Sequence, residues 1–336
     1  MAQNPYVNKV VFGDQTVLDL TGDTVQPSDV HMGYSCHDAS GQIINGTFDF
    51  ENATSGTATS VDLPYGKSLW VNGQLVEGEF EVPTFADGTD EEIATALQLH
   101  YAGQIDLTNY WTVGDKRTIH LNAMTADGVS EAHHADDYEF VIIGMNHDDL
   151  VTPIGNITKA IVTLQMDRIL YKNTTDATYS SDYPSAEDEG GYMNSTATNV
   201  GGWTSCARRT WCNSVFYNAV ESGIKSLIKP VVKKTSAGNV SSVINSDNDN
   251  VFLLSEIEIF GSITESFTGE GSQYSYFETA TNRCKKPSYF SYASAVQWER
   301  SPCGRKDTYF CNVSSVGNAS YGNASFARGL APAFCL

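Results

Sequence analysis

The feature that most constrains how this chain can fold is a repeat near its N-terminus. The segment GQIINGTFDF at 41–50 is echoed by GQLVEGEFEV at 73–82, a spacing of 32 residues. Each copy reads Gly-Gln-apolar-apolar-x-Gly-x-Phe-acidic-apolar. Short apolar pairs between glycines fit small hairpins whose turns need the conformations glycine permits. Units this small bury too little surface to stand alone, so they must stack on a partner or oligomerise. Upstream, KVVFGDQTVLDLTGDTV reads as two short strands around a Gly-Asp turn, and ENATSGTATS at 51–60 reads as a linker.

Charge divides the 336 residues further. The net charge is −20, with 24 acidic and 4 basic residues in 1–150 against 16 of each in 151–336. An acidic front repels phosphate backbones, so nucleic acid is not expected as a partner. No run of 18 apolar residues exists, so membrane insertion is not expected either. The opening MAQNPYVNKVVFGD lacks a basic stretch followed by an apolar one and does not read as a secretory leader. The seven cysteines read mostly as buried thiols, with disulfides left open; Cys206-x5-Cys212 and Cys303-x7-Cys311 match no zinc spacing.

After the repeats, residues 87–107 read as a helix capped by Thr89 or Asp90, with Ile93, Ala96, Leu97 and His100 on one face and Gly103 at its end. Strands follow at 118–124, 138–146 and 160–166. Residues 206–228 are helical in character and stopped by Pro230; VFLLSEIEIFG at 251–261 reads as a core strand, and 264–290 as a long loop. The fold class is α+β. The expected divisions are a β-rich attachment or oligomerisation module over 1–86, a linking helix over 87–105, and a larger domain over 106–336.

Candidate chemistry is sparse. His133, His134, Asp136 and Asp137 precede the strand at 138–146, and His147, Asp148 and Asp149 follow it. A strand of about eight residues spans roughly 25 Å, so one ion would not bridge the two groups. Asn245, Asp247, Asp249 and Glu256 approach the spacing of a calcium loop, but Asn250 stands where a glycine is needed and a strand follows. With every histidine in the first 150 residues, the rest of the chain offers no Ser-His-Asp triad; there is no Gly-x-Ser-x-Gly elbow and no phosphate loop. In GGWTSCARRTWCN, Trp203, Arg208, Arg209 and Trp211 could take an anion or a sugar, or could pack a helix into a core. No metal and no cofactor are expected.

Six segments in fixed order carry a resemblance: YWTVGDKRTIHL, YEFVIIGMNHDD, GGWTSCARRTWCN, VFLLSEIEIFG, WERSPC and GLAPAFCL. Together they resemble phage and prophage tail-associated proteins with a C-type-lectin-like domain, a fold related to the formylglycine-generating enzymes. The resemblance covers about 106–336. It implies a receptor-binding protein of a phage tail tip or fibre. Its C-terminal region, about 304–328, would be rewritten at adenines by a diversity-generating retroelement. The paired-cysteine copper site of formylglycine-generating enzymes is not matched by Cys206/Cys212 or Cys303/Cys311, so that activity is not implied.

The residues themselves add a face to this picture. Period-2 alternation in CNVSSVGNA places Cys311, Val313, Ser315, Gly317 and Ala319 inward and Asn312, Ser314, Val316 and Asn318 outward. Beyond it, Asn318, Asn323 and Arg328 occupy equivalent places in a five-residue repeat, and GRKDTY at 304–309 forms a polar loop. The expected binding face is Arg305, Lys306, Asp307, Thr308, Tyr309, Asn312, Ser314, Val316, Asn318, Asn323, Phe326, Ala327 and Arg328. Asn312, Asn318 and Asn323 each begin an Asn-x-Ser sequon; they read as replaceable outward positions, not glycan acceptors. The expected partners are a bacterial surface receptor, glycan or protein, and other tail proteins. A homo-oligomer is expected, for which a trimer fits phage symmetry. The alternatives are a structural tail component and a metal-dependent hydrolase using His133, His134 and His147.

Overall fold

A computed structural model describes residues 6–48, 58–71, 74–130, 132–170, 191–286 and 294–336. It is mixed, 18% helical and 35% strand, with many small strands in sheets and few helices. The chain divides into two units, Met1–Glu81 and Val82–Leu336.

Among its described residues the first unit holds three separate hairpins: β1 (Lys9–Phe12) with β2 (Gln15–Asp19), β3 (Ser35–His37) with β4 (Ile43–Asn45), and β5 (Ser68–Val71) with β6 (Gln74–Glu77). The sequence repeat is a structural repeat. Each copy opens on a 3-10 turn, Pro27–Asp29 or Ser60–Asp62, whose last aspartate accepts the amide of Gln26 at 2.8 Å or Thr59 at 2.7 Å. A parallel bridge, His31 to Phe48 or Pro64 to Phe80, then ties each turn to the end of its hairpin. The bridge explains one repeated glycine. A Cβ on Gly46 or Gly78 would run into the carbonyl oxygen of His31 or Pro64.

The second unit opens on α1 (Asp90–Tyr101). Thr89 caps it: its hydroxyl accepts the Glu92 amide at 3.2 Å, and the Glu92 carboxylate accepts the Thr89 amide at 2.8 Å. The helix buries Ile93, Ala96, Leu97, Leu99 and His100. Arg117, itself buried, donates to Asp90 at 2.6 Å and to the Phe85 carbonyl at 3.3 Å. The helix expected to link two domains is therefore part of the second unit's own packing, and the boundary falls at 81/82.

There follow β7 (Lys116–Leu121), β8 (Asp136–Met145), β9 (Asp149–Ile154), β10 (Ile157–Lys159) and β11 (Val162–Met166). The helical stretch breaks into α2 (Ala207–Trp211), a π-turn over Cys212–Phe216, α3 (Tyr217–Ala219) and α4 (Ser222–Leu227). Then come β12 (Val231–Ser236), β13 (Ile244–Asp249) and β14 (Val251–Phe252). The expected core strand over 251–261 is only these last two residues. Its remainder is a helix, α5 (Glu256–Phe260), because Ser255 and Glu258 make a capping box and Gly261 ends it at φ 70°. The chain closes with β15 (Gln297–Pro302), β16 (Tyr309–Val313), β17 (Ala319–Asn323) and β18 (Ala333–Cys335).

Among the described residues three antiparallel sheets result, ordered β14-β18-β11-β8-β7, β10-β9-β12-β13 and β15-β16-β17. The closing strand β18 lies between β14 and β11, so Leu330, Ala331, Ala333, Phe334, Cys335 and Leu336 are all buried. The Tyr101 hydroxyl donates to the Leu336 carbonyl at 2.8 Å. GLAPAFCL is core, and the polar segments just before it are anchored to that core.

Candidate functional site

The candidate face is built on the three-stranded sheet. β15 is buried along its whole length, and so is β16 beyond Tyr309. Pairing runs Val313 to Ala319, Asn312 to Ser320, Cys311 to Tyr321 and Tyr309 to Asn323. Asn312 is thus a correction: expected to face out, it is 1% exposed. The alternation fails because both faces of β16 are covered, leaving Phe310, Cys311, Asn312 and Val313 all buried. The expected inward Ser315 is exposed, because the strand stops at Val313 and a turn begins.

That turn presents Val316, 72% exposed, and Asn318. Gly317 sets its hand at φ 80° and donates to the Ser314 carbonyl at 2.9 Å; Ser314 Oγ accepts the Asn318 amide at 3.0 Å. Asn323 ends β17 differently, its side chain accepting Ser325 N at 3.1 Å and Ser325 Oγ at 2.9 Å. This local turn leaves Phe326 56% exposed. Arg328 lies over the Trp298 ring at 5.4 Å, and Gly322 makes room for it. The five-residue repeat therefore does not give three equivalent positions: Asn318 is exposed, Asn323 shapes a turn, and Arg328 packs on an aromatic ring.

The polar loop at 304–309 is held from both ends. Gly304 donates to the Glu265 carbonyl at 2.7 Å, and Arg305 to the Thr264 carbonyl at 3.0 Å. Asn199, fully buried, does most of the rest. Its Nδ2 donates to the carbonyls of Lys306 at 2.8 Å and Tyr309 at 2.7 Å, and its backbone amide donates to the Asp307 carbonyl at 2.7 Å. Its Oδ1 accepts the Asn239 amide at 2.8 Å. The side chains of Arg305, Lys306 and Asp307 stay exposed; Thr308, Tyr309, Ser314 and Ala327 are half-buried. The Lys306 ammonium lies 4.5 Å from the Tyr309 ring and 5.2 Å from the Tyr321 ring. The sequence reading missed Asn199, and its only signal was a polar residue beside the glycines of NVGGW.

Behind the face lies a buried charged network. Lys233 Nζ reaches Asp148 at 2.6 Å, Glu258 at 2.7 Å and the Tyr274 hydroxyl at 3.1 Å. Arg300 forks onto both oxygens of Glu258, one at 2.8 Å. Asp148 also accepts from Tyr274 at 2.8 Å and Thr163 at 2.5 Å. Burial opposes ionisation of Asp148 and Glu258, yet Lys233 holds the Asp148 carboxyl, and Arg300 with Lys233 the Glu258 carboxyl, below the ordinary range. Glu270 accepts the Ser236 amide at 2.7 Å and contacts the Ser301 hydroxyl; burial pushes its carboxyl up to about 7. Beside the network opens a cavity of about 280 Å³, with His147, Asp149, Lys159 and Lys234 in its lining. His147 stacks on Tyr274, ring centroids 3.9 Å apart.

The other sequence candidates resolve into structure. His133 and His147 fall at opposite ends of the ten-residue β8, and no group of three metal-ligating side chains is assembled among the described residues. Asp249 is taken by Trp203 at 2.8 Å and Arg209 at 2.7 Å. Glu256 accepts the amides of Thr264, Glu265 and Ser266. Trp203, Arg208 and Trp211 are buried, with Arg208 4.7 Å from the Trp211 ring. All seven cysteines are free thiols.

No curated protein and no solved structure matches the chain. Residues 163–336, which span β11 to the C-terminal strand and include the candidate face, match the model of DUF6273, a domain of unknown function. The chain belongs to the DUF6273 family.

Proposed function

We propose that the protein is a non-enzymatic receptor-binding protein of a phage or prophage tail. Its second unit would be a C-type-lectin-like domain whose C-terminal hairpin and loops carry a retroelement-diversified ligand face. The observation that carries the reading is the division of labour at 304–328. The exposed side chains of Arg305, Lys306, Asp307, Val316, Asn318 and Phe326 stand on backbone fixed by buried groups, Asn199 foremost. Adaptable polar and aromatic side chains on a rigid base suit recognition of varied partners. Repeated copies on one particle would multiply a weak single-site affinity. The ligand would be a glycan or protein of the bacterial surface.

The test replaces those six exposed residues by alanine. Binding of the purified protein to host cells should be lost while its melting temperature is unchanged. Retained binding overturns the reading. A reverse transcriptase gene nearby, with an imperfect copy of the 3′ end differing at adenines, is the expected genomic companion. A second reading, a structural tail component, draws on the exposed apolar side chains of the first unit. It predicts no binding to host envelope fractions by the wild-type protein.

A further inference from the structure

The first unit carries apolar side chains that its own fold leaves in water. Among its described residues, only Val71 and Phe80 are large apolar side chains in the buried class, at 8% and 9% exposure. Every residue of the β1–β2 hairpin is exposed, with Phe12 at 83%. An isolated two-stranded hairpin is marginal in water, and this unit holds three of them.

The exposure repeats with the fold. Met32 and Tyr65 hold the same place in the two copies, each donating its amide to the closing phenylalanine, Phe48 or Phe80, at 2.8 and 2.9 Å. They are 50% and 74% exposed. Ile43 and Leu75, which follow Gly-Gln in each copy, are 56% and 49% exposed. The shared fold turns these positions outward in both copies, and both copies place a large apolar side chain at each of them. A surface that repeats along the chain fits a partner that repeats with the same spacing, and a second copy of this segment has that spacing by construction.

The area is sufficient. Phe12, Tyr34 and Tyr65 at 70–83% exposure, with the aliphatic side chains of β1, β2 and the repeats, offer on the order of 800 Å² of apolar surface. That equals the ~800 Å² each partner contributes to a standard interface. Between Met1 and Glu81 there are 11 acidic and 2 basic residues, so copies repel over distance and only short-range apolar contact would join them.

We infer that the described residues of the first unit, 6–48, 58–71 and 74–81, present a self-association surface, joined copy to copy through the repeated apolar positions. This inference is independent of what the second unit binds, and its test uses no ligand. The full-length chain is weighed in solution by light scattering after size exclusion, beside a variant carrying Phe12→Lys, Ile43→Lys and Leu75→Lys. Those side chains are exposed, and the strand signal that the first unit adds to the far-ultraviolet circular dichroism, over a chain beginning at Val82, must be unchanged in the variant, which shows that the substituted unit is folded. The wild type should run at a multiple of the 36.6 kDa chain, and the variant at one chain. Raising salt should tighten wild-type association by screening the acidic repulsion. A monomeric wild type at tens of micromolar overturns the inference. So does an oligomer that survives the three substitutions, or one that weakens with salt.

Discussion

At the scale of residues, burial separates positions that the sequence presents as alike. Asn312 and Val316 both fall on the expected outward face, yet one is 1% exposed and the other 72%. Asn312→Asp would bury a charge in a covered sheet and should cost several kcal/mol. Val316→Asp should stay within about 0.5 kcal/mol. Thermal melting of the two variants checks this; equal losses would mean that Asn312 is not enclosed. Glu270 gives a prediction in pH. Its carboxyl is raised from 4.5 to about 7 by burial, so the folded chain keeps a proton that the unfolded chain has released. The stability it forfeits is nil below pH 4.5, grows through the window and is complete above about 7. At ~1.4 kcal/mol per unit the total is about 3 kcal/mol. Glu270→Gln should therefore gain that much on wild type between pH 5 and pH 7.5, read by denaturant titration. Asp148, held low by Lys233, and Glu258, held low by Arg300 and Lys233, lose their contribution only in acid and leave this window clear.

At the scale of elements, the reading from sequence succeeded where local chemistry decides and failed where packing does. The capping box and acidic first turn of α1 are written in TDEE, and the repeated hairpins in their glycines. The same chemistry sits in SEIEIFG, a capping serine, a glutamate three residues on and a terminal glycine, but the apolar run VFLL before it suggested a continuing strand. The alternation in β16 could not reveal a strand covered on both sides. The network of Lys233, Asp148, Glu258 and Arg300 joins residues up to 152 positions apart in numbering, and no spacing rule announces it. Asn199 belongs to the same class, since its partners at 306–309 lie over 100 residues away. It also supports a strained turn, where Asn239 and Val240 hold φ of 54° and 55°. Asn199→Ala takes the donor from the Lys306 carbonyl and the acceptor from the Asn239 amide, and leaves the Tyr309 carbonyl with the Cys303 amide alone, a loss of about 2–3 kcal/mol. Amide exchange at Asn239 should quicken and host-cell binding should fall about tenfold. Unchanged exchange would mean that the clamp is not what holds the turn.

At the scale of the whole molecule, the two units differ in what holds them. The second has a continuous apolar core from α1 to β18 and a charged network in which each cation meets a carboxylate. The first has two large buried apolar side chains among its described residues and short hydrogen-bonded turns. A fold whose apolar groups remain exposed gains little by standing alone, because the hydrophobic term scales with area removed from water. Removing it should cost the second unit nothing. A chain beginning at Val82 should fold, and should melt within about 2 °C of the full-length protein at any concentration. In a unit of this size each kcal/mol moves the midpoint by about 2–4 °C. A fall of 10 °C in the shortened chain would therefore mean that residues 1–81 contribute several kcal/mol to the second unit's core, and that the division at 81/82 is not one of stability.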